Sequence, residues 1–405
     1  MRAFTASWRF LLFESLQRKP PDAILKLIVE HANDPRDNKV DLGVGVYRDP
    51  AGNTPVFGAI KTAEQRLLET QTSKSYLGSR GAVDFCDAIQ TLVFGDVADR
   101  NDRVMTLQTP GGSGALRVAA DLILRADPNT TVWVSDPTWN NHVPLLGGAG
   151  LKLESYPYYD VDQNELRFDA MLEVLNQAPS GDIALLHGCC HNPTGMDLSI
   201  AQWDAVVEVV VARGLVPFID IAYQGFAGSL DEDAYGVRAM LDRVPEMIVV
   251  TSCSKNFGLY RERVGALTFV SANAEAAEIV SSQSLNIVRT LYSLPPDHGG
   301  AAVTMILNDT DLRNDWLTEL TGMRQRMKEM RALIVAGLGK TAPDREFSHI
   351  ERGNGMFCYL GVSPQQVARL KQDYGIYLVD SGRINVCGIT SDNVDYLAES
   401  IAAVI

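Results

Sequence analysis

The sequence has few cysteines, no long hydrophobic run and no excess of positive charge. Its 405 residues include six cysteines, scattered without a CxxC pair or a histidine spacing suited to zinc. This usage is typical of a reducing compartment, so we expect a cytoplasmic protein without a structural metal. No run of about 18 apolar residues occurs, and no membrane-spanning helix is expected.

The charge balance limits the partners of the protein. The formal net charge is −14, from 36 Lys and Arg against 50 Asp and Glu, which argues against nucleic acid or an anionic membrane. An anionic substrate would need a local cationic site.

Residues 1–13 are basic and apolar, but Arg9 interrupts the apolar stretch and no small-residue cleavage site follows. We expect a helical or disordered extension there, not a targeting peptide.

The middle of the chain alternates short apolar or β-branched runs with helical stretches such as Ala115–Arg125 and Gln202–Arg213. This alternation predicts an α/β fold of three layers, with a mostly parallel sheet and helices on both faces. The predicted strands are Val104–Leu107, Thr131–Ser135, Ala184–His187, Val216–Asp220, Met247–Thr251 and Ala266–Val270.

The texture of the sequence changes near Asp311. A long amphipathic helix is predicted over Asp311–Leu338, followed by short strands and a C-terminal helix after Ser391. At 405 residues two domains are expected. We expect a large domain at 55–310 and a discontinuous, smaller α+β domain from 1–54 and 311–405.

Ligands of open α/β sheets bind beyond the carboxyl ends of the strands, and polar residues follow the predicted strands directly. After Leu107 comes QTPGGSGALR. Gly111 and Gly112 allow close backbone approach, and Ser113 is expected to cap the next helix. Together they offer N–H groups to an anion such as phosphate, although a plain glycine-rich helix start has the same pattern.

Two further strand ends carry ionisable groups. Asp220 ends one predicted strand and is followed by Tyr223; a buried carboxylate needs a partner, either a structural arginine or a cofactor ring nitrogen. Lys255 follows another strand within SCSKNFGLYRERVG. A lone lysine is usually a solvated surface group. With Ser252 and Arg263 nearby, however, it is a candidate amine nucleophile toward an aldehyde beside a phosphate site.

Other residues are ambiguous by themselves. Asn192 lies in an NPTG turn and could donate into the cleft, and Trp139 could be a core residue or stack on a flat ligand. Arg289 and Arg383 could grip carboxylates in the bidentate manner that lysine cannot.

Taken together, these segments resemble the class I (fold type I) pyridoxal-phosphate aminotransferases, in particular the aspartate and aromatic aminotransferase subgroup. The resemblance runs from about Asp22 to Ile405. Its motifs occur in the family's order: YLGSRG, QTPGGSGALR, DPTWNNH, HNPTG, DIAYQGF, SCSKNFGLYRERVG and SGRINVCG.

The resemblance implies that Lys255 holds pyridoxal phosphate as a Schiff base and that Asp220 keeps the ring nitrogen protonated. Tyr223 and Asn192 would bond the phenolic oxygen, and Trp139 would stack on the ring. It also implies several supporting residues: His142 and His187 near the ring, and Gly112, Ser113, Ser252, Arg263 and the partner subunit's Tyr76 around the phosphate.

The resemblance further implies how substrates bind. Arg383 would take the α-carboxylate, Gly45 would line the site, and Arg289 would reach a distal carboxylate from the other subunit of a homodimer. Ser113 and Leu294 stand where the aspartate-preferring branch usually has threonine and asparagine. These smaller or more apolar residues favour aromatic amino acids, with aspartate as a second substrate and 2-oxoglutarate as acceptor. An aspartate aminotransferase is the alternative.

Other classes of protein were weighed. Ser252-Cys253-Ser254-Lys255 fits the S-x-x-K pattern of serine hydrolases and 391–393 spells S-D-N, but no K-T-G follows. S-D-N at a helix start is instead expected to cap it. Gly339-Lys340-Thr341 lacks the first P-loop glycine, since Ile334 stands there. A non-catalytic ligand sensor would need a DNA-binding domain, which neither the short N-terminus nor the charge supplies.

Overall fold

The computed structural model describes residues 12–20, 22–95 and 102–405. The expectation for residues 1–13 therefore falls mainly outside the described residues. Within the described part of the chain, no helix is both long and apolar enough to cross a membrane.

The strands and helices follow one another along the whole described chain. The strands are β1 (Val40–Asp41), β2 (Val104–Pro110), β3 (Thr131–Asp136), β4 (Lys152–Pro157), β5 (Tyr159–Asp160), β6 (Glu165–Leu166), β7 (Ile183–His187), β8 (Val216–Ile221), β9 (Met247–Ser252), β10 (Val264–Val270), β11 (Phe357–Tyr359), β12 (Ile376–Tyr377) and β13 (Arg383–Asn385). The helices are α1 (Ala23–Asn33), α2 (Gly58–Thr70), α3 (Val83–Phe94), α4 (Gly111–Ala126), α5 (His142–Ala149), α6 (Phe168–Leu175), α7 (Ile200–Arg213), α8 (Leu230–Asp233), α9 (Tyr235–Leu241), α10 (Ala274–Leu291), α11 (His298–Asn308), α12 (Thr310–Thr341), α13 (Ser348–Arg352), α14 (Pro364–Tyr374) and α15 (Val394–Ala402).

Seven strands form the central sheet in the order β2-β10-β9-β8-β7-β3-β4. All neighbouring pairs are parallel except those of β10, which runs antiparallel to β9 and to β2. Strands β9 and β10 are buried along their whole length, because helices cover both faces of the sheet. The predicted mostly parallel, three-layer architecture is confirmed, and each of the six predicted strands lies within an observed one.

The helix ends follow local sequence signals. Ser199 and Gln202 form a capping box at the start of α7, and Gly214 ends that helix with φ +63°. One expectation was wrong. Ser113 caps nothing, because α4 already begins at Gly111 after Pro110 and no side chain caps it.

The predicted cap in the S-D-N segment was also wrong. Asn393 occupies the N-cap position of α15, but its side chain bonds no N–H of the helix. Asn393 accepts instead from the backbone N–H of Thr390 and donates to the carbonyl of Gly388. The segment is therefore a turn that fixes the loop before the helix.

Two short sheets join the beginning and the end of the chain. Strand β1 pairs in parallel with β12, and β11 pairs antiparallel with β13. The long helix α12 runs for 32 residues, slightly beyond the predicted Asp311–Leu338. Its fully buried Trp316 donates to the carbonyl of Asn256, just after β9, at 2.7 Å. The helix therefore links the central sheet to the C-terminal elements.

Candidate active site

A cavity of about 350 Å³ opens at the carboxyl ends of the parallel strands, the position at which open α/β sheets bind ligands. A larger cavity, of about 570 Å³, lies at the opposite edge, beside the first residues of β7, β8 and β9. We favour the smaller cavity because polar and ionisable groups converge on it. It is lined by most of the predicted site residues: Gly45, Gly112, Ser113, Trp139, His187, Asn192, Asp220, Tyr223, Ser252, Lys255, Arg263 and Arg383.

Asp220 is buried at the end of β8. Only one of its two carboxylate oxygens, Oδ2, has a hydrogen-bond partner among the described residues. Its Oδ2 lies 3.0 Å from Nε2 of His142, whose Nδ1 lies 2.8 Å from the hydroxyl of Thr138. That hydroxyl also lies 3.1 Å from Nε2 of His187. Burial opposes ionisation of Asp220, but the bond from His142 and the nearby Lys255 outweigh it and hold its pKa below the ordinary value. Oδ1 is buried and has no partner among the described residues.

Lys255 lies in the turn directly after β9. Its Nζ is 4.7 Å from the centroid of the Tyr223 ring. Burial lowers the pKa of Lys255 to about 8, with the Arg263 charge adding to the shift and Asp220 opposing it. An amine with such a pKa is partly neutral near physiological pH and can attack a carbonyl.

The side chains of Tyr223 and Asn192 both line the cavity and lie next to each other. Asn192 Nδ2 lies 3.5 Å from the Tyr223 hydroxyl, and burial raises the pKa of Tyr223 well above its ordinary value. Both groups therefore remain neutral donors for a ligand oxygen. Trp139 also lines the cavity and meets His142 edge to face, with ring centroids 5.3 Å apart.

The N-terminus of α4 is suited to an anion, because its first backbone N–H groups lack intrahelical partners. Gly111 has φ +68°, and a Cβ there would lie 2.5 Å from Nη2 of Arg263. Arg263 itself donates to the Ser254 hydroxyl at 3.3 Å and to the Tyr260 carbonyl at 3.2 Å. With Ser252 also lining the cavity, the site combines a cation, hydroxyls and a positive helix end.

Arg383 is buried at the start of β13. Its Nη2 donates to the carbonyl of Gly43 at 2.8 Å, while its buried Nε has no acceptor within the described part of the chain. Its Cζ lies 4.3 Å above the Phe357 ring. Burial lowers the pKa of Arg383. Gly45 leaves room here, because a Cβ would lie 3.0 Å from the Phe357 ring.

Three predicted residues lie outside this cavity. Tyr76 is 91% exposed, and Arg289 is exposed in the last turn of α10. His142 does not line the cavity either and lies behind Asp220.

Sequence reasoning missed several residues of the site, notably Thr138, Tyr260 and Phe357. Thr138 directly precedes Trp139, so its place in DPTW was a usable signal. For Phe357 no local signal existed, since its position depends on pairing with β13.

These atoms fit pyridoxal phosphate. The unpartnered Oδ1 of Asp220 suits a pyridinium N–H, Lys255 suits the aldehyde, and the α4 N-terminus with Arg263 suits the phosphate. Fold and site together define a pyridoxal-phosphate enzyme of fold type I.

Known proteins agree with this class. The family described as "Aminotransferase class I and II" matches residues 37–401. The chain is 46% identical to an aspartate aminotransferase of Haemophilus influenzae, covering 97% of this chain and 100% of the relative. It is 47% identical to an aromatic-amino-acid aminotransferase of Pseudomonas aeruginosa, covering 97% and 98%.

A solved structure is similarly close. The aromatic-amino-acid aminotransferase from Burkholderia pseudomallei, covalently bound to pyridoxal phosphate, superimposes with a TM-score of 0.95 at 43% identity, covering 98% of this chain and 100% of that one. The chain belongs to the class I and II aminotransferase family and is a pyridoxal-phosphate-dependent transaminase. The serine hydrolase and ligand-sensor alternatives are thereby set aside.

Proposed function

We propose that the protein transfers the amino group of phenylalanine or tyrosine, and of aspartate as a second substrate, to 2-oxoglutarate. The observation that carries this proposal is the buried Arg383, whose Nε has no partner among the described residues, in the same cavity as the Lys255 amine. A guanidinium placed there suits the α-carboxylate that all these substrates share. The net charge of −14 makes nucleic acid an unsuitable partner.

The chain's residues supply orientation and proton transfer. When bound, pyridoxal phosphate supplies a reactive aldehyde and an electron-withdrawing ring. Asp220 would hold a proton at the ring nitrogen, and Tyr223 and Asn192 would donate to the ring hydroxyl oxygen. Arg383 grips the α-carboxylate and turns the substrate Cα–H toward Lys255. Lys255 would hold the cofactor through Nζ; as the free amine, whose pKa burial lowers to about 8, it would accept and carry the Cα proton.

The preference for aromatic side chains rests on the distal end of the site. Ser113 lines the cavity, and Leu294 is proposed to reach its distal end; both are smaller or more apolar than threonine and asparagine would be. A difference of one methyl group is worth only about 1–3 kcal/mol, so activity on aspartate is retained. The similar relatives carry both the aromatic and the aspartate name.

The active form is proposed to be a homodimer with shared sites. Tyr76 is 91% exposed in the single chain, so its side chain is available for contact with a second subunit. In the dimer the partner subunit's Tyr76 would contact the phosphate and the partner subunit's Arg289 would meet the distal carboxylate.

We also propose the division into a large domain at 55–310 and a small domain made of 1–54 and 311–405. Two observations support it: all seven strands of the central sheet lie within 104–270, and β1 pairs with β12. A cytoplasmic location is proposed because all six cysteines are buried and free.

The experiment that tests the proposal is a comparison of kcat/KM for phenylalanine, tyrosine and aspartate with 2-oxoglutarate. We expect both aromatics to equal or exceed aspartate. An aspartate value about a hundredfold above both would overturn the aromatic proposal and leave an aspartate aminotransferase.

A further inference from the structure

Arg331 on α12 is a buried cation. It donates to the backbone carbonyl of Ile350 and to carbonyls of the segment 353–357. Its side chain is 1% exposed. Nη1 donates to Ile350 at 2.6 Å, and Nη2 donates to Asn354, Gly355 and Phe357 at 2.9, 3.0 and 2.7 Å. Nε donates to the same Gly355 carbonyl at 3.3 Å. A planar guanidinium with so many fixed bonds defines the path of this segment.

The segment 353–357 is tied to the turn that carries Asn192. Asn354 donates from its backbone N to Gly195 at 2.7 Å and from Nδ2 to Asp197 at 3.0 Å. Asp197 also accepts from the backbone N–H groups of residues 190 and 191, directly before Asn192. A Cβ on Gly195 would lie 2.2 Å from the Phe357 carbonyl oxygen. The turn and the segment are therefore in direct contact.

The other end of the segment supports the substrate arginine. The ring of Phe357 lies 4.3 Å from Cζ of Arg383. Its backbone pairs with Asn385 in the β11–β13 ladder, two residues from Arg383. Because the Phe357 carbonyl is also an Arg331 acceptor, any change in the path of the segment displaces the surface on which Arg383 rests.

We propose that Arg331 is a positioning residue that fixes Arg383 relative to Asn192. Arg331 thereby fixes the distance between the α-carboxylate site at Arg383 and the cofactor side of the cavity at Asn192. Arg331 does not line the cavity and is proposed to act on Arg383 through 353–357. The inference rests on the proposed role of Arg383. A misplacement of about 1 Å at a reacting centre costs about a hundredfold in rate.

The test compares Arg331→Met and Arg331→Lys in the holoenzyme. A matched control is Arg324→Met on the same helix, since Arg324 donates to Gly225 at 2.9 Å and not to the segment. For Arg331→Met we expect kcat/KM for both phenylalanine and 2-oxoglutarate to fall about a hundredfold, chiefly through a rise in KM, with the cofactor absorbance retained. Arg331→Lys should restore part of this loss, and Arg324→Met should keep the wild-type KM.

A second variant, Asn354→Ala, tests the inference if Arg331→Met does not fold. Asn354→Ala removes only the bond to Asp197 and should raise the same KM values about tenfold. Unchanged KM values in both Asn354→Ala and Arg331→Lys would overturn the inference. Arg383→Lys separates the two proposals. If Arg383→Lys leaves KM unchanged, the proposed function itself fails; if it raises KM while the Arg331 and Asn354 variants do not, only the positioning role fails.

Discussion

His142 Nε2 lies 3.0 Å from Asp220 Oδ2 and leaves Asp220 Oδ1 without a partner among the described residues. One carboxylate oxygen is thus held by the protein while the other is available to a cofactor ring nitrogen. Thr138 bridges His142 to His187 behind it, so the histidine ring cannot turn freely.

Asp220→Asn tests whether the charge of Asp220 is required, because asparagine keeps the shape and removes the charge. We expect kcat to fall about a thousandfold, since removal of a preorganised stabilising group costs about 10²–10³. Asp220→Glu is the control and should retain far more activity. The role assigned to Asp220 would be wrong if the asparagine variant stayed within about tenfold of wild type.

The pKa of Lys255 predicts a pH-dependent stability of the cofactor-free protein. Burial lowers this pKa to about 8, so between pH 8 and about 10.5 the unfolded chain binds a proton that the folded chain does not. The free energy of unfolding of the wild-type protein therefore gains a contribution from Lys255 that rises with pH between pH 8 and about 10.5. Below pH 8 we expect Lys255→Met to be more stable than wild type by on the order of 3 kcal/mol.

The measurement is urea denaturation of both cofactor-free proteins at pH 7 and at about pH 10. The difference in free energy of unfolding should shrink as the pH rises. A difference that does not depend on pH would show that the folded protein does not depress the Lys255 pKa.

Much of this site was predictable because it depends on local signals. Asp220 and Lys255 follow apolar strands, and parallel strands bring their carboxyl ends to one edge. Phe357 was not predictable, since its place depends on Arg331 and on pairing with β13. The cap expected of Ser113 failed because Gly111 adopts φ +68° and lets the helix begin earlier.

The aromatic preference predicts the effect of restoring the residues of the aspartate branch. The double variant Ser113→Thr, Leu294→Asn should shift the ratio of kcat/KM for aspartate over phenylalanine upward by about 10–100-fold. Ile200→Asn, at an exposed residue that does not line the cavity, is a control for a general effect of added polarity. An unchanged ratio in the double variant would show that these two residues do not determine the substrate preference.

Shared active sites predict complementation between two defective subunits. Lys255→Ala lacks the amine and Arg289→Ala lacks the distal cation, so each homodimer should lose aspartate activity. In a mixed dimer, the site that keeps Lys255 would receive the partner's Arg289. Random mixing should restore about a quarter of wild-type activity on aspartate. No recovery, despite mixed dimers seen by native mass spectrometry, would place Arg289 in its own subunit's site.

Lys255 as the covalent attachment point of pyridoxal phosphate is the central claim, and borohydride reduction of the holoenzyme followed by peptide mass spectrometry tests it most directly. We predict that the reduced cofactor is recovered on the peptide that contains Lys255, and that Lys255→Ala binds the cofactor without becoming labelled. Recovery of the label on another lysine, or equal labelling of Lys255→Ala, would contradict it.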